Sequence, residues 1–76
     1  MASHVIELIT MDMIPVRSSA ISAVGYDPTS LRMVIKFKGG YSYTFCRVPE
    51  HIFTGLIQST SKGRYYDSKI RDRYQC

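Results

Sequence analysis

The signatures missing from this chain of 76 residues each close off a class of function. No run approaches the roughly 18 apolar residues of a membrane-spanning helix. The first 14 residues lack both a basic start and a long apolar centre, so they do not read as a secretory signal. The phosphate-loop order Gly-x-x-x-x-Gly-Lys-Ser/Thr is absent, and Ser61-Lys62-Gly63 is better explained as a helix end with Gly63 as a left-handed cap. Six acidic residues contain no close pair for general acid–base work, and the serines at 18, 19, 22 and 30 have no histidine nearby to activate them. Two cysteines, Cys46 and Cys76, are too few for a disulfide scaffold, so reduced thiols and a cytoplasmic setting are expected. Cys46 and His51 lie five apart without a second ligand pair, which leaves no metal site. The expectation is a protein without enzymatic activity, cofactor or membrane partner, and with neither internal repeats nor low-complexity segments.

What remains is a basic chain, of net charge +4 and pI about 9.3, with a hydrophobic content of 45% that is ordinary for a globular domain. A domain this small buries only about 60% of its unfolded surface, so its core is thin and a deep two-lobed cleft is not expected. The positive balance favours polyanionic partners.

The most informative stretch runs from Leu31 to Val48. Two runs of β-branched and aromatic residues flank Gly39-Gly40, and glycine tolerates the positive φ of a tight hairpin. A two-residue turn there would set Lys38 opposite Tyr41, Lys36 opposite Tyr43, Val34 opposite Phe45 and Arg32 opposite Arg47. One face of the ribbon would then be basic and aromatic. The other would carry Leu31, Met33, Ile35 and Phe37 opposite Val48, Cys46, Thr44 and Ser42, an apolar floor for a helix.

Residues 1–13 read as a leader or an edge strand, with a boundary near Asp12–Pro15, and residues 14–76 as a single domain. Strands are expected near 18–26, 31–38 and 41–47. A loop at Asp27–Ser30 would place Tyr26, Val24 and Ser22 beside Leu31, Met33 and Ile35, leaving Ala23 and Gly25 on the basic face. Pro49 and Glu50 suit the start of a helix over about 49–60, with Ile52 and Leu56 on one face and Phe53 and Ile57 beside it. Gly55 weakens that helix by roughly 1 kcal/mol relative to alanine unless a close approach to the sheet needs the space. A short basic helix follows, with Asp67 as N-cap and Ile70 and Tyr74 on a common face. The segment 61–76 holds five basic residues against two acidic ones. The fold class is therefore α+β: a three-stranded antiparallel meander packed by one helix, then a short basic helix.

The spaced combination Ser18-Ser19-x-Ile21, Val24-Gly25-Tyr26-Asp27-Pro28, Phe37-x-x-Gly40-x-x-Tyr43-x-Phe45-x-x-Val48-Pro49, Ser61-x-Gly63-x-Tyr65-Tyr66-x-x-x-Ile70 and Tyr74 resembles the KTSC family. That family is named for a domain at the C-terminus of some lysyl-tRNA synthetases and also occurs as small stand-alone bacterial and phage proteins. The resemblance covers about Ile14 to Tyr74 and implies a single KTSC-like domain. The family's central Tyr-x-Tyr pair falls on Tyr43 and Phe45, so the second hydroxyl is lost while stacking remains possible. Attachment to a tRNA synthetase implies RNA binding, and it implies no mechanism.

The expected function is a non-catalytic accessory module for nucleic acid, RNA or single strands before duplex, since no recognition helix is evident. Tyr41, Tyr43 and Phe45 would stack on bases, Arg32, Lys36, Lys38 and Arg47 would hold phosphate, and Arg64 and Tyr65 would extend the site. The competing arrangement, commoner in small domains, covers the rings with the chain's own tail or leader and leaves the charges solvated. Tyr66 and the basic run of the tail would extend the site in the same way, although a solvated charged face with Tyr66, Ile70 and Tyr74 as packing residues is the plainer reading. A second reading of the same face is a protein-interaction surface, for a homodimer or for a phage-encoded modulator of a host protein.

Overall fold

The computed structural model describes residues 11–76. Strands β1 (Met13–Pro15), β2 (Ile21–Asp27), β3 (Arg32–Phe37) and β4 (Ser42–Phe45) form one antiparallel sheet in the order β1-β2-β3-β4. Helix α1 (Glu50–Gln58) follows, and then α2 (Lys62–Tyr65), which continues into a π-helical turn over Tyr66–Ile70. The α+β meander is as the sequence indicates, with four strands among the described residues in place of three. The added strand, β1, lies across the boundary drawn at Asp12–Pro15, and residues 1–10 of the expected leader fall outside the described part.

Each strand boundary has a local cause. Ser18 Oγ accepts the N–H groups of Ala20 and Ile21, both at 3.1 Å, so the chain is still turning where a strand from 18 was expected and β2 begins at Ile21. At the β2–β3 turn the Asp27 carboxylate accepts the Ser30 hydroxyl at 2.8 Å and the Thr29 N–H at 3.0 Å, while Leu31 N–H donates to Asp27 O at 2.8 Å. Leu31 takes a φ of 62° to complete this turn. The loop is therefore Pro28–Leu31, one residue later than expected, and Tyr26 pairs with Met33 and Val24 with Ile35. The offset is an even number of residues, so Val24 and Tyr26 keep the inner face. The opposite face at Gly25 is not open: the sulfurs of Met11 and Met13 lie over it.

The same hydrogen bonds give a pH prediction. The Ser30 hydroxyl first, then the Thr29 N–H, hold the Asp27 carboxyl below the usual range. Because the folded value is depressed, the stabilisation is present above the unfolded carboxylate range and disappears as pH falls through the folded value. Carboxyl NMR titration is expected to place Asp27 below an ordinary aspartate, and Ser30→Ala to move it back up.

Ile21, Val24, Met33, Ile35, Phe37 and Phe45 from the sheet meet Val48, Ile52, Leu56 and Ile70 in one core. The corner after β4 seats α1 there: Val48 N–H donates to Leu31 O at 2.8 Å, and the Tyr26 hydroxyl donates to Val48 O at 2.6 Å. Tyr26 also stacks on Phe53 with ring centres 4.7 Å apart. Burial first, then the charges of Glu50 and Asp27, push the Tyr26 phenol up, so it stays a donor at neutral pH.

The C-terminal third departs further from expectation. Helix α1 stops at Gln58, and Gly63 is not its left-handed cap but sits inside α2. The space at Gly55 is required by Tyr65, not by the sheet: the Tyr65 hydroxyl lies over Gly55 and donates to Ile52 O at 3.0 Å. Asp67 is not an N-cap either. It lies within the π-helical turn and pairs with Arg71 at 3.5 Å, an exposed i,i+4 contact that contributes little. Ile70 is fully buried, and Tyr66 and Tyr74 pack partly buried against the core, as the plainer reading of the tail had them.

Candidate nucleic-acid interface

The hairpin that organises the site turns differently from a Gly39-Gly40 pair. Phe37 N–H donates to Tyr41 O at 2.9 Å and Gly40 N–H to Phe37 O at 3.0 Å, so the loop is the three residues Lys38–Gly40. Gly40 alone has a positive φ, 95°, which fits a type I turn closed by one left-handed residue. The consequence for register is an odd shift: Ile35 pairs with Tyr43 and Met33 with Phe45. An odd shift turns every β4 side chain to the other face.

The basic and aromatic face expected from the sequence is therefore divided. Tyr41, Tyr43 and Phe45 share the face of Met33, Ile35 and Phe37, whereas Arg32 and Lys36 project from the opposite side of β3. Phe45 is only 6% exposed and belongs to the core, so it has no free ring face to offer a base. Lys38 lies in the turn, Arg47 stands exposed at the corner with a φ of 55°, and Arg64 is exposed on α2. Tyr65, at the end of α2, packs its ring and hydroxyl on α1 at Gly55 and Ile52 and does not extend the site.

What the structure assembles instead is an aromatic cleft at the β4 edge, beyond the reach of α1. Tyr41 and Tyr43 are each 52% exposed there and meet edge to face at 5.4 Å. The Phe37 ring supports both, stacked on Tyr41 at 5.4 Å and edge-on to Tyr43 at 5.8 Å, with Tyr66 edge-on at 5.1 Å from behind. Arg71, Asp72, Gln75 and Cys76 form the facing wall, and the space between is about 550 Å³. Burial pushes the Tyr66 phenol up, with the Arg71 cation opposing that shift. Such a cleft can hold a flat aromatic or cationic group against ring faces, with the Arg71 guanidinium in its wall for an anion.

The wall is covalently attached. Cys46 and Cys76 form a disulfide with Cα atoms 4.9 Å apart, which overturns the expectation of reduced thiols and of Cys46 in the core. Its cause is the same odd register, which turns the end of β4 so that Cys46 is half-buried and faces the tail. Cys46 N–H donates to Tyr74 O at 2.8 Å alongside it. Sequence reasoning weighed Tyr66 and the basic tail as an extension of the site but favoured packing for Tyr66; the clustering of tyrosines and arginines after Ser61 was the available signal, but not their direction. Among the described residues no three His, Cys, Asp or Glu side chains group as metal ligands, and no helix is long and apolar enough to cross a membrane.

With this geometry in view, the comparisons are consistent with one another. The family model for the KTSC domain matches residues 17–74. A protein of Tsukamurella paurometabola is 38% identical over 63 residues, spanning 83% of this chain and 94% of its own length. The crystal structure of a KTSC domain protein from Yersinia pestis superposes with a TM-score of 0.84 at 34% identity, covering 88% of this chain and 94% of that one. A lysine–tRNA ligase of Nostoc is 26% identical over 69 residues, which are 91% of this chain and 12% of the ligase.

Proposed function

We propose that this chain, which belongs to the KTSC domain family, is a small non-catalytic module that binds single-stranded nucleic acid, RNA in the first place. Unpaired bases stack on Tyr41 and Tyr43 in the β4 cleft, and Arg71 in its wall neutralises phosphate. The observation that carries this reading is the pair of half-exposed tyrosines, fixed by Phe37 at the mouth of a cleft and not covered by other described residues. The match within a tRNA ligase supports RNA as the polymer. Single strands are favoured over duplex because α1 carries no lysine or arginine with which to enter a groove.

The test is a titration of the isotope-labelled protein with short single-stranded RNA at two salt concentrations. Resonances of Tyr41, Tyr43 and Arg71 are expected to move, and affinity to fall steeply as salt rises. Each lost stacking ring costs roughly 1–3 kcal/mol, so Tyr41→Ala with Tyr43→Ala is expected to abolish retention at micromolar concentrations while leaving the fold cooperative. Phe45 is excluded from that variant because its removal would open the core. Retention unchanged in the double variant sinks the reading. Salt-insensitive binding of a protein through the same tyrosines would favour the interaction-module alternative.

A further inference from the structure

The disulfide is placed where it governs the cleft. The segment Arg71–Cys76 supplies one wall, and it is fastened at its start by buried Ile70 and the Arg71 N–H bond to Tyr66 O at 2.8 Å. At its other end the ties to the sheet are the Cys46–Cys76 bond, the Cys46 N–H bond to Tyr74 O and the partly buried Tyr74 ring. Between them Asp72 sits at a φ of 62°, and Arg71, Asp72, Arg73 and Gln75 are exposed. A segment with so little apolar burial is held largely by its end points. Cys76 is an exposed residue and Cys46 a half-buried one, so a reductant approaches more freely from the Cys76 side.

We propose that Cys46–Cys76 is a thiol–disulfide exchange site that latches the second wall of the tyrosine cleft, and that a dithiol reductant releases it. One thiolate of the reductant attacks Sγ of Cys76, and Cys46 leaves as a thiolate and takes up a proton. The second thiol of the reductant then attacks its own sulfur in the mixed disulfide, frees Cys76 as a thiol, and leaves the reductant as a disulfide. Two electrons pass from reductant to protein. The sheet, α1 and Ile70 keep the core closed, while Arg71, Asp72 and Gln75 lose their fixed position opposite Tyr41 and Tyr43. The consequence for a ligand rests on the reading of the cleft as an RNA site: without a preorganised wall, affinity falls.

Amide hydrogen exchange on the full chain, with and without dithiothreitol, tests the latch without any ligand. The Cys46 amide, bonded to Tyr74 O, is expected to exchange at least about tenfold faster in the reduced protein, with the amides of β2 and β3 unchanged. Cys76→Ser is expected to reproduce this pattern without reductant, and to be indifferent to adding it. Equal exchange in both redox states overturns the proposal, as does a bond that dithiothreitol cannot open without denaturant. Loss of protection throughout the sheet also overturns it, because the bond would then be a staple of the whole fold. Single-stranded RNA separates the two readings: binding several-fold weaker after reduction supports the coupling, and equal binding by both redox forms removes it. Binding by neither form removes the RNA reading while the exchange data still decide the latch.

Discussion

Ile70→Ala is expected to remove about 2–5 kcal/mol of stability, the usual range for truncating a fully buried isoleucine in a site that cannot collapse. For a chain this short the whole folding free energy is only about 4–11 kcal/mol, so this substitution consumes a large part of it. Ile70 comes from a π-helical turn in a segment rich in charge, and it fills the core space between the sheet and α1. Chemical denaturation should show the midpoint falling sharply, with the transition still cooperative. A loss within about 0.5 kcal/mol, the ordinary range for surface substitutions, would mean that the tail is an appendage and not part of the core.

The second large effect is a reversal of sign at Gly55. In an exposed helix interior, alanine in place of glycine stabilises by about 1 kcal/mol. Here a Cβ would meet the Tyr65 ring and hydroxyl, with the ring's Cζ at 2.7 Å, so Tyr65 must tilt away and release its hydrogen bond to Ile52 O. Overpacking costs about 1–3 kcal/mol and the lost hydrogen bond about 1 kcal/mol, which together outweigh the gain in helix propensity. Gly55→Ala is therefore expected to destabilise by about 1–3 kcal/mol, the residual of these opposing terms. In a Tyr65→Ala background the same substitution should stabilise. A double-mutant cycle measured by denaturation reads the coupling directly, and additivity of the two changes would refute the contact.

How far the sequence disclosed this protein depends on the length scale at which each feature is fixed. Helix α1 was legible because Pro49, Glu50 and the Ile52–Leu56 stripe all act within three turns. The meander was legible because its turns carry Asp27-Pro28 and Gly39-Gly40. The register of β4 was not, because both glycines suit a turn and only the observed hydrogen bonds distinguish a two-residue loop from a three-residue one. That single residue moved Phe45 into the core, separated Arg32 and Lys36 from Tyr41 and Tyr43, and aimed Cys46 at the tail. The disulfide joins residues 30 apart in sequence, and two isolated cysteines carry no spacing signal for such a pair. The direction of Tyr66 and Arg71 was not legible for a related reason: a π-helical turn rotates side chains away from the 3.6-residue period of an ordinary helix.

The hydrogen-bond alternation along β4 also bears on how this protein behaves when concentrated. Tyr41 bonds to Phe37 across the hairpin, so Tyr41, Tyr43 and Phe45 turn their peptide groups inward, and Ser42, Thr44 and Cys46 turn theirs outward. The Cys46 amide is already taken by Tyr74, and the chain bends away before Tyr41. On this rim a strand from another molecule would find little more than Ser42 and Thr44 to zip onto, too short a template for growth of a cross-β fibril. The shortness of that template is set by where the tail crosses the end of β4.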